Sequence, residues 1–309
     1  MESMLTIVSK VLIMLVMILV GYFLTKKAVL TSRGASEITD ILIKLVTPCV
    51  IINSFIDSRG SLELTGILYA VLIPVISMII NMVVSRLSFR KETEERKTVL
   101  QFSVMFGNVG FMGVPLVQGI VGEAGVVYAS FAIVVFNIFC WTYGYRLMNK
   151  EAKLSAKTVL LNPGVIGIGI GLPLYFINFG IPNIVREPIA AFAGLNTPLA
   201  MMIIGSYVAK VDMRSFVSDI SVYKMSALRI LITPAIFFGV MLLLRPEPEL
   251  FLTGIIQAAM PVAANTVLFA VQYKKDSELA SKAVAVSTVL SVLTIPLFTI
   301  LAEAALRYL

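Results

Sequence analysis

The sequence predicts an all-α polytopic membrane protein with ten transmembrane helices, arranged as two five-helix units of opposite orientation. Its composition is strongly apolar, with 58% hydrophobic and 14% charged residues among 309, and its mean hydropathy is +0.94. Ten apolar segments follow one another with short connections, each near the roughly 20 residues of a spanning helix. Prolines recur in corresponding segments of the two halves, as the pairs Pro48 and Pro198, Pro74 and Pro234, and Pro115 and Pro261.

The spans are predicted in chain order from this apolar pattern. In the first half, residues 1–150, they cover 5–24, 38–55, 65–87, 98–121 and 125–147; in the second half, residues 151–309, they cover 159–177, 188–209, 223–244, 250–273 and 279–306. The first segment lacks a clear signal-peptide cleavage site and leads directly into further spans, so we expect a retained helix. An odd number of helices per half makes the second copy enter the membrane from the other side, so the repeat is expected to be inverted.

Basic residues predict the orientation. Lys and Arg concentrate in alternate loops, such as those around Lys26, Arg90, Lys153, Arg214 and Lys274. By the positive-inside rule these loops are cytoplasmic and both termini lie outside. The net charge of +7 is thereby explained without a nucleic-acid partner, because the cations are spread over several short loops.

Missing residue types exclude several chemistries. The chain has no histidine, which excludes a Ser-His triad, a His-ligated zinc site and an H-E-x-x-H protease. It also has no phosphate-binding P-loop motif. The glycine run from Gly164 to Gly171 lies in an apolar span and lacks dinucleotide-binding spacing, so it predicts close helix packing. Cys49 and Cys140 lie within spans and are interpreted as packing residues. No enzyme activity, metal or cofactor is therefore predicted.

The segment from Gly107 to Leu116 carries the main functional motif. Its three glycines, ahead of Pro115, weaken the helix, and we expect Pro115 to be the first residue of a restarted half-helix. Span nine repeats this device around Pro261. Non-helical backbone at membrane depth is tolerated only against protein or a watery cavity. If the two broken helices cross, two positive helix ends meet near the membrane centre, where an anion is the natural ligand.

The candidate substrate-binding residues follow from this motif. Asn108 and Asn265 place amides at membrane depth, where an unsatisfied polar group is costly. Gly113, Pro115 and Pro261 complete the predicted site. The alternative is that the amides only join helices, which is their commoner role in membrane proteins.

Two further candidates come from span two. Thr47, beside Pro48, is a candidate for the opposite wall of the site, as are Asn53, Asn196 and Thr197. Asp40 is a candidate for ion coupling, because charges within membranes are often functional. The alternative is a structural i, i+4 pair between Asp40 and Lys44 that reaches the membrane surface.

These motifs resemble those of the auxin efflux carrier family, which includes plant PIN carriers and bacterial malate permease-like proteins. The similar residues are Asn108 to Leu116 with Gly122, Asn162-Pro163, Pro261 with Asn265, and Thr288 to Pro296. The resemblance implies a 5+5 inverted repeat with broken, crossing helices four and nine, like that of sodium/proton antiporters and bile-acid transporters. It also implies a short, prokaryotic member of the family that forms a homodimer.

The resemblance implies an elevator mechanism as well. Spans three to five and eight to ten are then a transport domain that moves against a scaffold of spans one, two, six and seven. The implied substrate is a small organic anion, such as a dicarboxylate or an auxin-like carboxylate, with proton or sodium coupling left open. A secondary-active carrier is the leading hypothesis. The alternatives are a channel or facilitator for small anions and a membrane receptor that does not transport.

Overall fold

The protein is helical throughout the part of the chain that its structure describes. This computed structural model describes residues 4–57, 64–149, 157, 160–176, 181–210 and 219–308, where every regular element is a helix. Within those ranges six helices are long and apolar enough to cross a membrane. The predicted fold class of an all-helical, multi-pass membrane protein is therefore confirmed at this level. The predicted boundary between the halves, at residues 150 and 151, and the loop around Lys153 lie outside the described residues.

The helices follow the predicted apolar segments. Those of the first half are α1 Met4–Lys26, α2 Ser32–Asp57, α3 Leu64–Leu87, α4 Glu94–Met105, α5 Val109–Ile120 and α6 Glu123–Met148. Those of the second half are α7 Pro163–Phe176, α8 Asn183–Gly194, α9 Asn196–Lys210, α10 Ile220–Leu244, α11 Pro248–Ala258, α12 Asn265–Gln272 and α13 Ser277–Leu306. The fourth, seventh and ninth segments each contain two consecutive helices.

Prolines inside three helices follow wide π-helical turns. The turns are Leu42–Val46 before Pro48, Val109–Gly113 before Pro115 and Leu228–Ile232 before Pro234. Proline has no N–H for the helical ladder, and its ring clashes with a carbonyl one turn earlier. The extra residue of a π-turn moves that carbonyl away, so the helix continues through the proline.

The predicted restart of a half-helix at Pro115 is wrong. Helix α5 already begins at Val109, and the Asn108 carbonyl accepts hydrogen bonds from the N–H groups of Met112 and Gly113 at 3.3 and 3.0 Å. The interruption lies before this turn, at residues 106–108. The π-turn accommodates the proline inside α5, so the break and the proline are separate features.

Glycines set the closest helix contacts. Helix α1 packs on α9, where a Cβ added to Gly205 would lie 1.9 Å from the carbonyl oxygen of Ile18. Helix α7 packs on α2, with Gly167 against Ile51 and Gly171 against Phe55. The predicted packing role of this glycine run is confirmed for these two positions and for Gly164, where an added Cβ would lie 2.8 Å from Ile133 Cγ2. Gly169 has no such neighbour within 4 Å. Small residues let helix backbones approach closely where lipid supplies no hydrophobic drive between helices.

The outer surface is rich in exposed apolar side chains. Leu68, Leu243 and Leu293 are 67%, 83% and 75% exposed, respectively. Contiguous apolar surface of this kind is costly in water and suits contact with lipid. The buried side holds polar residues as well, including Asn81 and Arg229. Charged groups within membranes face the protein interior, so this distribution fits a membrane protein.

Candidate functional site

The two helix interruptions meet inside the protein. Residues 106–108 lie between α4 and α5, and residues 259–264 lie between α11 and α12. The Asn108 N–H donates to the Pro261 carbonyl at 2.8 Å, and the Ala263 N–H donates to the Phe106 carbonyl at 2.9 Å. Gly107 and Val262 thereby form an antiparallel bridge. This pairing satisfies backbone groups that the interrupted helices leave free, which is a requirement at membrane depth. We call it the crossing.

Arg229 of α10 lies beneath the crossing and is 1% exposed. Its guanidinium donates to the carbonyls of Met260, Val104 and Ala258, at 2.9, 3.3 and 3.0 Å. The Val104 and Ala258 carbonyls belong to the C-terminal ends of α4 and α11, which carry partial negative charge. The Met260 carbonyl lies in the interruption that follows α11. Each helix end is equivalent to roughly half a negative charge, so the two together offset much of the guanidinium charge. Arg229 therefore ties the two half-helices together and neutralises their ends.

A cavity of about 160 Å³ adjoins the crossing. Its wall at the crossing is formed by residues 107–111 and 263–265. The facing wall comes from Thr39, Ile43 and Thr47 of α2 and from residues at the start of α7. Helices α5 and α12 both begin at this cavity, so the positive ends of both face it. A small anionic group fits this electrostatic environment.

The cavity contains three of the predicted site residues. Asn108, Asn265 and Thr47 all line it. The Thr47 hydroxyl donates to the Leu42 carbonyl at 2.8 Å, inside the π-turn of α2. Its oxygen can still accept a hydrogen bond from a ligand. The Asn265 amide contacts the Cys140 sulfur, which joins α12 to α6.

The other predicted site residues lie away from the cavity lining. Gly113 faces the Gln257 amide, and a Cβ added there would lie 2.4 Å from Gln257 Oε1. The Pro115 carbonyl accepts a hydrogen bond from the Thr197 hydroxyl at 3.3 Å. Pro261 contributes its carbonyl to the crossing. Pro261 therefore belongs to the crossing, whereas Gly113 packs against α11 and Pro115 contacts α9.

Asp40 forms an exposed ion pair. Its carboxylate lies 2.7 Å from the Lys44 ammonium, and the two side chains are 61% and 67% exposed. Asp40 does not line the cavity, although its neighbour Thr39 does. This placement matches the structural i, i+4 pair that the sequence offered as the alternative to ion coupling.

Two further amides complete the cavity. Asn137 of α6 and Asn162 before α7 both line it, and Asn162 Nδ2 donates to Asn137 Oδ1 at 3.1 Å. Asn162 Oδ1 accepts from the Gly164 N–H at 2.9 Å, which caps the first turn of α7. Sequence reasoning missed Asn137. Its signal was a single amide within the otherwise apolar segment of α6, where an unpaired polar group is costly.

The described cavity lining is uncharged and combines polar with apolar residues. Four asparagines and two threonines supply its hydrogen-bonding side chains, alongside apolar residues such as Phe111. No group of three or more His, Cys, Asp or Glu residues that could hold a metal ion occurs within the described ranges. The chemistry available is therefore hydrogen bonding by amides and hydroxyls, aided by two helix dipoles.

Comparison with known proteins shows to which family the chain belongs. The sequence profile of the membrane transport protein family matches residues 6–159 and 152–299. The chain belongs to that family. The match covers nearly the whole chain and confirms the predicted resemblance to auxin efflux carriers. The protein is therefore a membrane transporter.

Three relatives extend the comparison. An uncharacterized transporter of Methanothermobacter thermautotrophicus is 28% identical over 94% of this chain and 96% of its own length. An uncharacterized transporter of Methanocaldococcus jannaschii is 25% identical over 93% of this chain and 96% of its own. A Rhizobium meliloti protein named "Putative malonate transporter" is 24% identical over 68% of each chain. All three names describe transporters, and one of them specifies a short dicarboxylate.

Proposed function

We propose that this transporter is a secondary-active carrier for a small organic anion, with the cavity at the crossing as its substrate site. The observation that carries the proposal is the convergence of two positive helix ends and four asparagines on one uncharged cavity. Amide N–H groups and helix N-termini bind carboxylate oxygens well. A cation would meet the positive ends of both helices and no carboxylate among the described lining residues.

A short dicarboxylate is the preferred substrate class within this proposal. The cavity of about 160 Å³ is small, and a relative carries the name of a malonate transporter. An auxin-like carboxylate is the second class, because Phe111 in the lining offers an aromatic contact. Asp40 is not proposed as an ion-coupling residue, because it lies in an exposed ion pair with Lys44.

The proposed mechanism is elevator-type alternating access. Helices α1, α2 and α7–α9 correspond to the scaffold, and α3–α6 with α10–α13 correspond to the transport domain. The cavity lies between these groups, because α2 and α7 face the crossing across it. The ten spans then comprise the single helices together with the pairs α4–α5, α8–α9 and α11–α12. The inverted 5+5 repeat, the outside location of both termini and the homodimer belong to the same proposal.

Uptake by reconstituted protein tests the proposal. Purified transporter in proteoliposomes should take up labelled malonate with saturation, and unlabelled malonate trapped inside should accelerate uptake by exchange. A channel gives no such acceleration. A thermal-shift screen with carboxylates, amines and sugars tests ligand class in parallel. Stabilisation by amines or sugars, with none by any carboxylate, would overturn the anion assignment.

A further inference from the structure

A polar cluster lies near the end of α2 opposite to the cavity. Thr39, Ile43 and Thr47 of α2 line the cavity, whereas Ser54 lies about two helical turns beyond Thr47. Ser54 is fully buried and faces Glu123, the first residue of α6. The turn before α6 is made by Gly122, whose φ of 92° falls in the left-handed region that glycine adopts without strain.

Hydrogen bonds connect this cluster across four helices. Ser54 Oγ donates to Glu123 Oε2 at 2.5 Å. Gln118 Nε2 of α5 donates to Glu123 Oε1 at 3.1 Å, so both carboxylate oxygens accept. Gln118 Oε1 in turn accepts from Asn196 Nδ2 of α9 at 3.2 Å. The chain Ser54, Glu123, Gln118, Asn196 thus starts and ends in the proposed scaffold and passes through the proposed transport domain.

The hydrogen bonds of this cluster depend more strongly on the relative position of the helices than the surrounding apolar contacts do. Asn196 is only 2% exposed, and hydrogen bonds to a carboxylate are stronger than those between neutral groups, especially away from water. Two hydrogen bonds of the cluster, Ser54 to Glu123 and Asn196 to Gln118, cross between the two proposed domains. Both are lost when α5 and α6 move relative to α2 and α9.

We propose that Ser54, Glu123, Gln118 and Asn196 form a latch that holds one end of the scaffold–transport interface closed while the cavity at the other end is open. This inference rests on the proposed alternating-access function. In an elevator transporter, the contacts between the two domains form at one end of their interface in one state and at the other end in the opposite-facing state. The free energies of these contacts set the populations of the two states. Breaking the latch should therefore shift the protein towards the opposite-facing state.

Two cysteine reporters measure the shift. Cys49 and Cys140 are first replaced by serine. Thr39→Cys then reports on the open cavity, and Thr197→Cys reports on the latched end, where Thr197 hydrogen-bonds the Pro115 carbonyl. Glu123→Ala should slow maleimide labelling of the first reporter and accelerate labelling of the second. About a tenfold change is expected, since a hydrogen bond to a charged group contributes roughly that factor to an equilibrium constant.

Matched variants separate the latch from general loosening. Glu37→Ala removes an exposed carboxylate of α2, the helix that carries Ser54, where Glu37 pairs with Arg33. It should leave both reporters unchanged. Glu123→Gln keeps acceptor capacity and should give a smaller shift than Glu123→Ala. Gln118→Leu breaks the same chain and serves as the second test if Glu123→Ala does not fold. Unchanged reporters, or accelerated labelling of both, would overturn the latch.

Transport by the unaltered protein keeps the two proposals distinguishable. If it exchanges organic anions in proteoliposomes while Glu123→Ala and Gln118→Leu leave the reporters unchanged, the latch is wrong and the carrier function stands. If it transports no organic anion, the proposed function fails whatever the reporters show.

Discussion

Gly107 lies so close to Arg229 that a Cβ added to the glycine would be 2.2 Å from Arg229 Nη2. Only glycine fits at this position, because the Arg229 guanidinium occupies the space that a Cβ would need. The same guanidinium hydrogen-bonds the ends of α4 and α11. The geometry of the crossing therefore depends on a contact between a residue of span four and a residue of span eight.

Gly107→Ala should destabilise the protein by about 1–3 kcal/mol, because the added methyl group displaces a fully buried side chain from its hydrogen bonds. Thermal unfolding in detergent measures the effect. Gly239→Ala is the matched control, since Gly239 lies in α10 with no such neighbour within 4 Å. Equal melting temperatures for the two variants would contradict this account of the crossing.

Asn108→Ala and Asn265→Ala should each abolish most transport while folded protein is retained. Both amides line the cavity, so their loss removes ligand contacts more than helix contacts. Initial uptake rates in proteoliposomes, normalised to reconstituted protein, measure the loss.

Asn81→Ala provides the control for the asparagine variants. Asn81 is also buried, but its amide donates to the Met105 carbonyl and lies outside this cavity. We expect it to reduce stability more than transport per folded molecule. If the two cavity variants instead lose folded protein and keep normal transport per molecule, the amides only join helices.

Single-cysteine labelling should place Lys91→Cys on the cytoplasmic side and Glu187→Cys on the outside, because Lys and Arg are enriched in the loops that include Lys91. The test uses protein in which Cys49 and Cys140 are replaced. An impermeant maleimide is added to intact cells and to inverted vesicles. Labelling of Lys91→Cys in intact cells would contradict the orientation.

Arg96→Ala should lower the melting temperature by several degrees at pH 7, with a difference that shrinks below about pH 4. Arg96 donates to Asp219 at 2.5 Å and also contacts Glu92. These contacts of Arg96 join the start of α4 to the start of α10. Burial raises the pKa of Asp219, but hydrogen bonds from Arg96 and the Ser221 N–H outweigh it, so the pKa of this carboxyl is below its ordinary value.

A lowered folded-state pKa fixes the sign of this pH dependence. The stabilisation is present above the unfolded pKa of roughly 4 and is lost as the pH falls through the folded value. Melting curves between about pH 3 and pH 8 check the prediction. Arg33→Ala, which removes an exposed pair with Glu37, should have little effect at any pH. A pH-independent difference for Arg96→Ala would contradict the role of Asp219.

The sequence by itself determined that the chain is an all-helical membrane protein and where its apolar segments lie. Both conclusions follow from local properties of the sequence. A segment that spans lipid must be long, apolar and helical, because few other structures satisfy its backbone hydrogen bonds there. It also indicated interruptions in the fourth and ninth segments, from glycines near Asn108 and small residues near Pro261. Asn108 and Asn265 were identifiable as polar groups at costly depth, and Thr47 as a candidate for the opposite wall because it lies beside Pro48.

Only the tertiary structure decided what surrounds those groups. Pro115 was expected to break its helix, but a π-turn absorbs the proline, and such turns depend on packing that one segment does not specify. The rotation of α6 about its axis turns Asn137 towards the cavity, and that of α2 leaves Asp40 outside it, paired with Lys44. Arg229 looks like an isolated intramembrane charge in the sequence. Its partners are the carbonyls of Val104, Ala258 and Met260, and backbone groups of distant segments converge only when the helices pack.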